Sequence, residues 1–248
     1  MRRIKITVAY DGTRFHGWQV QPGLPTIQGA LEGVLREIEG AEVKVHGSGR
    51  TDAGVHALAQ VAGFSLANPI PADNLRRAMN RLLPHSIRVL SAEEAAPEFH
   101  PRYDAVAKTY EYRIFRGEIC SPFERRYVHH HPYPLDAARI IRAARLFEGE
   151  HDFTAFAASD ERDKEGGSKV RTIFSSVAAL SGERLFYRVR GSGFLKHMVR
   201  NIVGTLLEVG KGNLDEAGVL ALLAPGVAEK AGPTAPACGL FLVEVEYR

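Results

Sequence analysis

Residues 46–57, with the sequence HGSGRTDAGVHA, combine reactive side chains with a backbone rich in glycine. Arg50 and Asp52 flank a threonine in this stretch, where Val55 and the alanines are the only apolar residues. An aspartate with an ordinary pKa of about 3.9 is ionised at neutral pH and could act as a nucleophile or as a base. The same pattern, taken alone, favours a simple turn in which the glycines adopt positive φ and Asp52 caps a backbone amide.

A second group of charged residues lies in FLKHMVRNIVGTLLEVG, residues 194–210. Apolar residues recur there at helical spacing, which predicts an amphipathic helix over 194–209. Lys196 and Arg200 would then stand four residues apart on one flank, where two like charges repel. Either that flank is solvated, or the two cations bind a carboxylate or a phosphate between them.

Aromatic and basic residues are interleaved in FHPRYDAVAKTYEYRIFRG, residues 99–117. A strand here places Tyr110, Tyr112 and Ile114 on one face, and we expect the last two to point into a core. The basic residues of this segment are Arg102, Lys108, Arg113 and Arg116. Rings that stack on bases and cations that bind phosphates are what sheet-based RNA binders use. Arginines recur on a second predicted strand at 183–191, so both strands point to an RNA partner.

The composition excludes several classes of protein. The chain has 248 residues, of which 45% are hydrophobic and 25% charged, with a net charge of +3. These values are typical of a globular protein and permit an anionic partner. The two cysteines predict a reducing compartment rather than a disulfide scaffold. Because no signal-peptide pattern and no run of ~18 apolar residues is present, we expect a cytoplasmic protein that does not enter the membrane.

The three consecutive histidines at 129–131 do not predict a metal site, because neighbouring side chains point in different directions and no Cys-x-x-Cys motif accompanies them. The H-x-E and P-C-x-x-C motifs of zinc deaminases, which also act on flipped bases, are missing. A glycosidase would need a second carboxylate at ~5 Å or more, and no such partner stands out. These motifs therefore predict no zinc site, no zinc deaminase and no glycosidase.

Hydrophobic periodicity predicts much the same order of elements twice along the chain. Residues 1–101 predict the order β-α-β-β-α-β, and residues 102–248 repeat this plan with one more helix. We therefore expect an α+β fold of two ferredoxin-like (RRM-like) halves, 1–101 and 102–248, with antiparallel sheets flanked by helices. The predicted strands are 4–10, 42–46, 57–66, 86–95, 108–117, 169–180, 183–191 and 239–247. The predicted helices are 27–38, 72–83, 135–147, 194–209 and 214–223, and the predicted surface loops are 157–169 and 224–239.

Together these motifs resemble the TruA-type tRNA pseudouridine synthases, and the resemblance spans almost the whole chain. It rests on YDGTRFHGWQ, GSGRTDAGVHA, FHPRYDAVAKTYEYRI, HDFTAF, FLKHMVRNIVGTLLEVG and APACGLFLVEVEY, which occur in that order. The family converts uridine to pseudouridine in the anticodon stem-loop of tRNA, at tRNA positions 38, 39 and 40, without a cofactor. The resemblance also implies a homodimer with a basic cleft between the two halves of each chain, which takes the tRNA.

The same resemblance implies roles for individual residues. Asp52 is the catalytic aspartate, and Arg50 assists base flipping. Tyr110 stacks on the target base and can help to remove the C5 proton, while Arg200 pairs with Asp52 and holds it in place. The residues expected to bind the substrate are Tyr110, Arg50, Lys196, Gly49, Arg102 and Lys108.

Other interpretations stay open from the residues themselves. A non-catalytic RNA-binding module on a ferredoxin-like scaffold would explain the basic and aromatic strands, although it leaves Arg50 and Asp52 idle and no RNP1 motif is visible. A related synthase could act on a different RNA. Asp52 could attack the sugar, attack the base or remove the 2′ proton.

Overall fold

A computed structural model of the protein describes residues 1–159, 167–227 and 229–248. These residues form two compact units, one made of Met1–Val106 with Phe241–Arg248 and the other of Ala107–Leu240. The first unit therefore contains the C-terminal strand of the chain. The expected peripheral loop at 157–169 lies partly outside the described residues, as does one residue of the expected surface loop at 224–239.

The secondary structure alternates strands and helices in both units. The strands are β1 (Arg2–Tyr10), β2 (His46–Gly47), β3 (His56–Leu66), β4 (Ile87–Ala95), β5 (Ala105–Phe115), β6 (His129–His130), β7 (Gly149–Asp152), β8 (Val170–Ser181), β9 (Arg184–Gly191) and β10 (Leu240–Tyr247). The helices are α1 (Ile27–Glu39), α2 (Ala72–Leu82), α3 (Ala137–Ala144), α4 (Met198–Lys211) and α5 (Glu216–Leu222). None of the helices within these described residues is long and apolar enough to cross a membrane.

The first unit is built on the strand order β4-β1-β3-β10, with β2 paired to β3. β1 runs antiparallel to both β3 and β4, whereas β10 runs parallel to β3 at its start, where Phe241 pairs with His56. Ile4, Ile6 and Val8 alternate along β1 and are fully buried, because successive side chains of a strand point to opposite faces. The face of β1 that carries these three side chains therefore belongs to the core of this unit.

The second unit is built on the strand order β5-β9-β8-β7, in which every adjacent pair is antiparallel. The short strand β6 adds to β5 in parallel. Helix α3 packs on α4 and on β8, so helices cover this sheet. Tyr112 and Ile114 are buried, as their spacing on β5 predicts. The buried hydroxyl groups of Ser176 and Tyr187 form a hydrogen bond, with their oxygens 2.8 Å apart.

The fold is thus mixed α+β with mostly antiparallel strands and flanking helices, which confirms the predicted class in this coarse form. One predicted strand is wrong over most of its length. Val43 and Val45 are buried in alternation, but 42–45 is not a strand. Side chains of α1 take the place of a neighbouring strand: the Val45 amide donates to Glu32 Oε1 at 3.0 Å, and the Val45 carbonyl accepts from Gln28 Nε2 at 3.1 Å.

The helix predicted over 194–209 is also corrected at its start. Helix α4 begins at Met198, because His197 adopts a left-handed conformation with φ 62° that cannot continue a right-handed helix. Among the described residues other than glycine, His197 alone has a positive φ. Residues 194–197 therefore lie outside the helix, and the apolar side chains at 194 and 195 are half-buried in an irregular segment.

Candidate active site

The segment between β2 and β3 carries Arg50 and Asp52 in the first unit. Its backbone forms a turn, because the Val55 amide donates to the Asp52 carbonyl at 3.1 Å and Gly54 has φ 78°. A turn with a positive φ is therefore confirmed at Gly54, whereas capping by the Asp52 side chain stays a prediction. Arg50 is exposed, Asp52 is half-buried and Thr51, between them, is only 7% exposed. The turn thus presents two charged side chains and tucks the intervening one into the protein.

The segment 11–18 packs directly against this turn. The Trp18 amide donates to the Thr51 carbonyl at 3.0 Å, and the Gly54 amide donates to the Phe15 carbonyl at 3.3 Å. Gly17 has φ 88°, and a Cβ atom there would lie 2.5 Å from the Thr51 carbonyl oxygen. Only glycine allows so close an approach. The N-terminal motif YDGTRFHGWQ therefore supports the turn by packing against it.

Buried polar side chains hold the residues that precede the turn. Gln60 on β3 is fully buried and donates from Nε2 to the Gly49 carbonyl at 3.0 Å. Its Oε1 accepts from the Ser48 hydroxyl at 2.5 Å. Gly49 itself is half-buried. The backbone before Arg50 is therefore fixed by a side chain of the neighbouring strand.

Tyr110 lies on β5 in the second unit and is 7% exposed. The ring of Phe194, from the irregular segment before α4, meets the Tyr110 ring edge-on with centroids 5.0 Å apart and planes at 78°. Such edge-to-face contact is a favourable geometry for aromatic pairs. Tyr110 therefore has an aromatic neighbour that the sequence pattern did not reveal.

Arg200 lies in the first turn of α4 and is half-buried. Its Nε donates to the Ala235 carbonyl at 2.7 Å, while the Ala235 amide donates to the Arg200 carbonyl at 3.1 Å. We call residues 231–236, which run along this helix, the strap. The strap fixes part of the guanidinium group and so restricts the directions in which Arg200 can bind.

Asn201 anchors the strap and was not singled out by the sequence pattern. Its Nδ2 donates to the Phe156 carbonyl at 2.7 Å, and its Oδ1 accepts from the Thr234 hydroxyl at 2.6 Å. The Gly232 amide donates to the Thr205 hydroxyl at 3.2 Å, one helical turn further on. A polar residue within an otherwise apolar helix stripe is the signal that could have identified Asn201, because buried amides need partners.

The remaining predicted binding residues are spread over both units. Lys196 precedes α4, is exposed and donates from Nζ to the Ser159 carbonyl at 3.2 Å. Lys196 and Arg200 therefore do not stand one turn apart on a helix, and the predicted cationic flank is wrong. Arg102 is half-buried with its guanidinium 5.8 Å from the centre of the Tyr103 ring. Lys108 is half-buried on β5, opposite Gly191 of β9.

The histidines at 129–131 lie in and beside β6. Burial lowers the pKa of His129 to about 4 and also lowers the pKa of His131, and the positive charge of Lys211 acts in the same direction. Within the described chain, His129 Nδ1 and His131 Nε2 are buried without a hydrogen-bond partner. Among all the described residues, no group of three or more histidine, cysteine, aspartate or glutamate side chains could hold a metal ion.

Acid should destabilise the protein before its carboxylates protonate. The folded state disfavours protonated His129 and His131, whereas an unfolded histidine takes up a proton near its usual pKa of 6.5. The stability should therefore fall steadily as the pH drops below about 6.5 towards 4. We expect a lower unfolding temperature at about pH 5 than at about pH 7, and a weaker pH dependence in His129→Gln. The surface variant His85→Gln should keep the wild-type dependence, and an unchanged dependence in His129→Gln would contradict the assignment.

Comparisons with known proteins point to one family. A family model described as tRNA pseudouridine synthase matches residues 6–104 and 143–248. The tRNA pseudouridine synthase A of Solibacter usitatus is 68% identical over 247 residues, covering 100% of both chains. The enzyme of the same name from Pelobacter propionicus is 46% identical over 247 residues, again covering 100% of both chains. A crystal structure of the archaeal box H/ACA sRNP Nop10-Cbf5 complex shows a weak likeness, with 14% identity, a TM-score of 0.34 and coverage of 82% of this chain and 43% of that one.

Proposed function

The chain belongs to the tRNA pseudouridine synthase family, and from this premise we propose that it isomerises uridine to pseudouridine in the anticodon stem-loop of tRNA with Asp52 as its catalytic carboxylate. The observation that carries the proposal is the turn at 50–55. It presents a half-buried aspartate and an exposed arginine on either side of a buried threonine. The turn packs against segment 11–18, so the reacting group is held in place before the substrate binds. Such preorganisation suits chemistry on a flexible nucleotide.

The reaction asks little of the protein chemically. Pseudouridine formation breaks the N1–C1′ bond, rotates the uracil and rejoins it through C5, so nothing is oxidised, hydrolysed or donated. One carboxylate is sufficient, and no cofactor or metal is needed for that balance. Asp52 could attack the sugar or the base, or remove the 2′ proton. In each route it must be ionised, which is the ordinary state of an aspartate at neutral pH.

Tyr110 and Arg50 would serve the step that exposes the uridine. A base leaves its stack at a cost of roughly a few kcal/mol, and stacking on an aromatic ring returns about 1–3 kcal/mol. Arg50 is exposed at the turn and can occupy the space that the base vacates. Tyr110 is 7% exposed and packed against Phe194, so a base that stacks on it requires a local rearrangement of that aromatic pair.

The finer features implied by the resemblance complete this proposal. Arg200 is the cationic partner of Asp52, and Lys196, Gly49, Arg102 and Lys108 contact the RNA. We further propose that each half of the chain is ferredoxin-like and that a basic cleft takes the tRNA. The active form is a cytoplasmic homodimer. Distributed arginines make phosphate contacts, so tRNA affinity should weaken as salt rises.

Removing the Tyr110 hydroxyl should separate binding from turnover. We expect Tyr110→Phe to bind tRNA as the wild type does, because the ring and its contact with Phe194 remain. Turnover should fall by about 10²-fold or more if the hydroxyl moves a proton. Single-turnover tritium release from tRNA labelled at uracil C5 measures the step, and Tyr133→Phe, at an exposed tyrosine, is the matched control. Unchanged release would show that only the ring matters.

Two experiments test the function as a whole. The purified protein should release tritium from total tRNA labelled at uracil C5, whereas an RNA-binding module would bind tRNA without release. Mapping pseudouridine in tRNA from a strain that lacks the gene should show its loss from the anticodon stem-loop. Pseudouridine that disappears from another RNA instead would identify a synthase of different specificity.

A further inference from the structure

Beneath the turn at 50–55 lies a network of buried, uncharged polar side chains. The Thr51 hydroxyl and the Tyr10 hydroxyl lie 2.8 Å apart, so one donates to the other. Close by, the amide group of Gln60 accepts from the Ser48 hydroxyl at 2.5 Å and donates to the Gly49 carbonyl at 3.0 Å. The exposed fractions of Tyr10, Ser48, Thr51 and Gln60 are 4%, 0%, 7% and 0%. The network therefore reaches the backbone on both sides of Arg50.

The network stays uncharged at neutral pH. Burial raises the pKa of the Tyr10 hydroxyl well above its usual value of 10.0, so the phenol keeps its proton. Threonine, serine and glutamine side chains do not ionise at this pH. A buried polar network whose members satisfy one another is rigid, since each rearrangement leaves a group without a partner in a medium of low dielectric. The hydrogen bond between Thr51 and Tyr10, and those of Gln60 with Ser48 and Gly49, therefore hold the backbone on both sides of Arg50.

Thr51 is the point at which this network meets the charged residues. Its side chain is bound to Tyr10, and its carbonyl accepts from the Trp18 amide at 3.0 Å. Its neighbours on either side are Arg50, which is exposed, and Asp52, which is half-buried. A rotation of the Thr51 backbone would change the positions of the Arg50 and Asp52 side chains. Gly17 closes off such a rotation, because its backbone lies against the Thr51 carbonyl oxygen.

We propose that Thr51 is a positioning residue, which through its hydroxyl and carbonyl sets the directions of Asp52 and Arg50, and that Tyr10 and Gln60 are the fixed supports of this device. The inference rests on the proposed catalytic role of Asp52. It assigns the threonine of the Arg-Thr-Asp triplet a role in turnover rather than in binding. A displacement of about 1 Å of a reacting group can cost about 10²-fold in rate, so loss of the Thr51 hydroxyl should be visible in kcat.

The test compares two substitutions that differ in one group. Thr51→Val keeps the shape and loses the hydroxyl, whereas Thr51→Ser keeps the hydroxyl. We expect Thr51→Val to lower kcat by about 10- to 100-fold with KM for tRNA changed by less than about threefold. Thr51→Ser should recover kcat to within about threefold of the wild type. Tyr10→Phe, which removes the other hydroxyl of the pair, should resemble Thr51→Val.

The controls separate positioning from folding and from the proposed chemistry. Circular dichroism and thermal unfolding show whether each variant is folded at the assay temperature, and Asp52→Asn is assayed alongside. The proposal is overturned if folded Thr51→Val turns over as the wild type does while Asp52→Asn is inactive. It is also overturned if Thr51→Val and Thr51→Ser lose the same activity, or if the loss lies in KM alone. If Asp52→Asn itself remains active, the catalytic assignment fails rather than the positioning role.

Discussion

Asp52→Asn should fold and bind tRNA but form no pseudouridine. Asparagine has the size and shape of aspartate, and the turn is held by the Asp52 carbonyl and by the contacts of Thr51, none of which needs the carboxylate. The amide cannot act as a nucleophile or as a base, so every route open to Asp52 is lost. We expect the rate to fall by about 10⁴-fold or more, the range seen when an enzyme loses its central reacting group.

Tritium release from tRNA labelled at uracil C5 measures this loss, and filter binding at several salt concentrations checks that tRNA is still held. Asp73→Asn is the matched control, because Asp73 is an exposed aspartate that pairs with the nearby Arg76 and Arg77 in the first turns of α2. It should keep full activity, since exposed ion pairs contribute little to stability. Wild-type release by Asp52→Asn would refute the catalytic assignment.

Gly204→Ala should destabilise the second unit strongly and remove activity with it. A Cβ atom at Gly204 would overlap the carbonyl oxygen of Pro233, so the strap would have to leave the face of α4. Overpacking costs about 1–3 kcal/mol, and each lost hydrogen bond between Ala235 and Arg200 costs about 0.5–1.5 kcal/mol more. A loss of about 3 kcal/mol corresponds to a fall in unfolding temperature of roughly 6–12 °C.

Gly33→Ala is the control for this substitution, because it makes the same change within helix α1. A Cβ atom at Gly33 has no atom within 4 Å to meet, and alanine favours a helix over glycine by about 0.5–1 kcal/mol. Gly33→Ala should therefore leave the unfolding temperature unchanged or slightly raised, with normal activity. An equal effect of the two substitutions would mean that the packing of the strap on Gly204 does not limit stability.

The long elements could be predicted because their burial repeats with the period of the element. β1 follows from the alternation of its apolar residues, and Tyr112 and Ile114 are buried where the pattern of β5 places them. The turn at 50–55 was predictable from its glycines. Local signals of this kind depend on each residue and its near neighbours, so one sequence contains them.

The differences arise where one segment of the chain acts on a distant one. The alternation of Val43 and Val45 predicts a strand, but the hydrogen bonds come from Gln28 and Glu32 on α1. The apolar spacing from 194 predicts a helix four residues too early, because the left-handed His197 breaks it. In the same way, the Phe194 neighbour of Tyr110 and the support of Thr51 by Tyr10 depend on tertiary contacts that residue spacing does not contain.

The placement of Phe241–Arg248 in the first unit bears on how the protein is made. A ribosome delivers the chain from its N-terminus, and domains generally fold as units as they emerge. Residues 107–240 are delivered before the strand that pairs with His56 exists, so part of one edge of β3 stays uncovered until then. The unit that carries Asp52 therefore cannot reach its native state before residues 241–248 have left the ribosome, and a nascent chain should acquire activity only after that point.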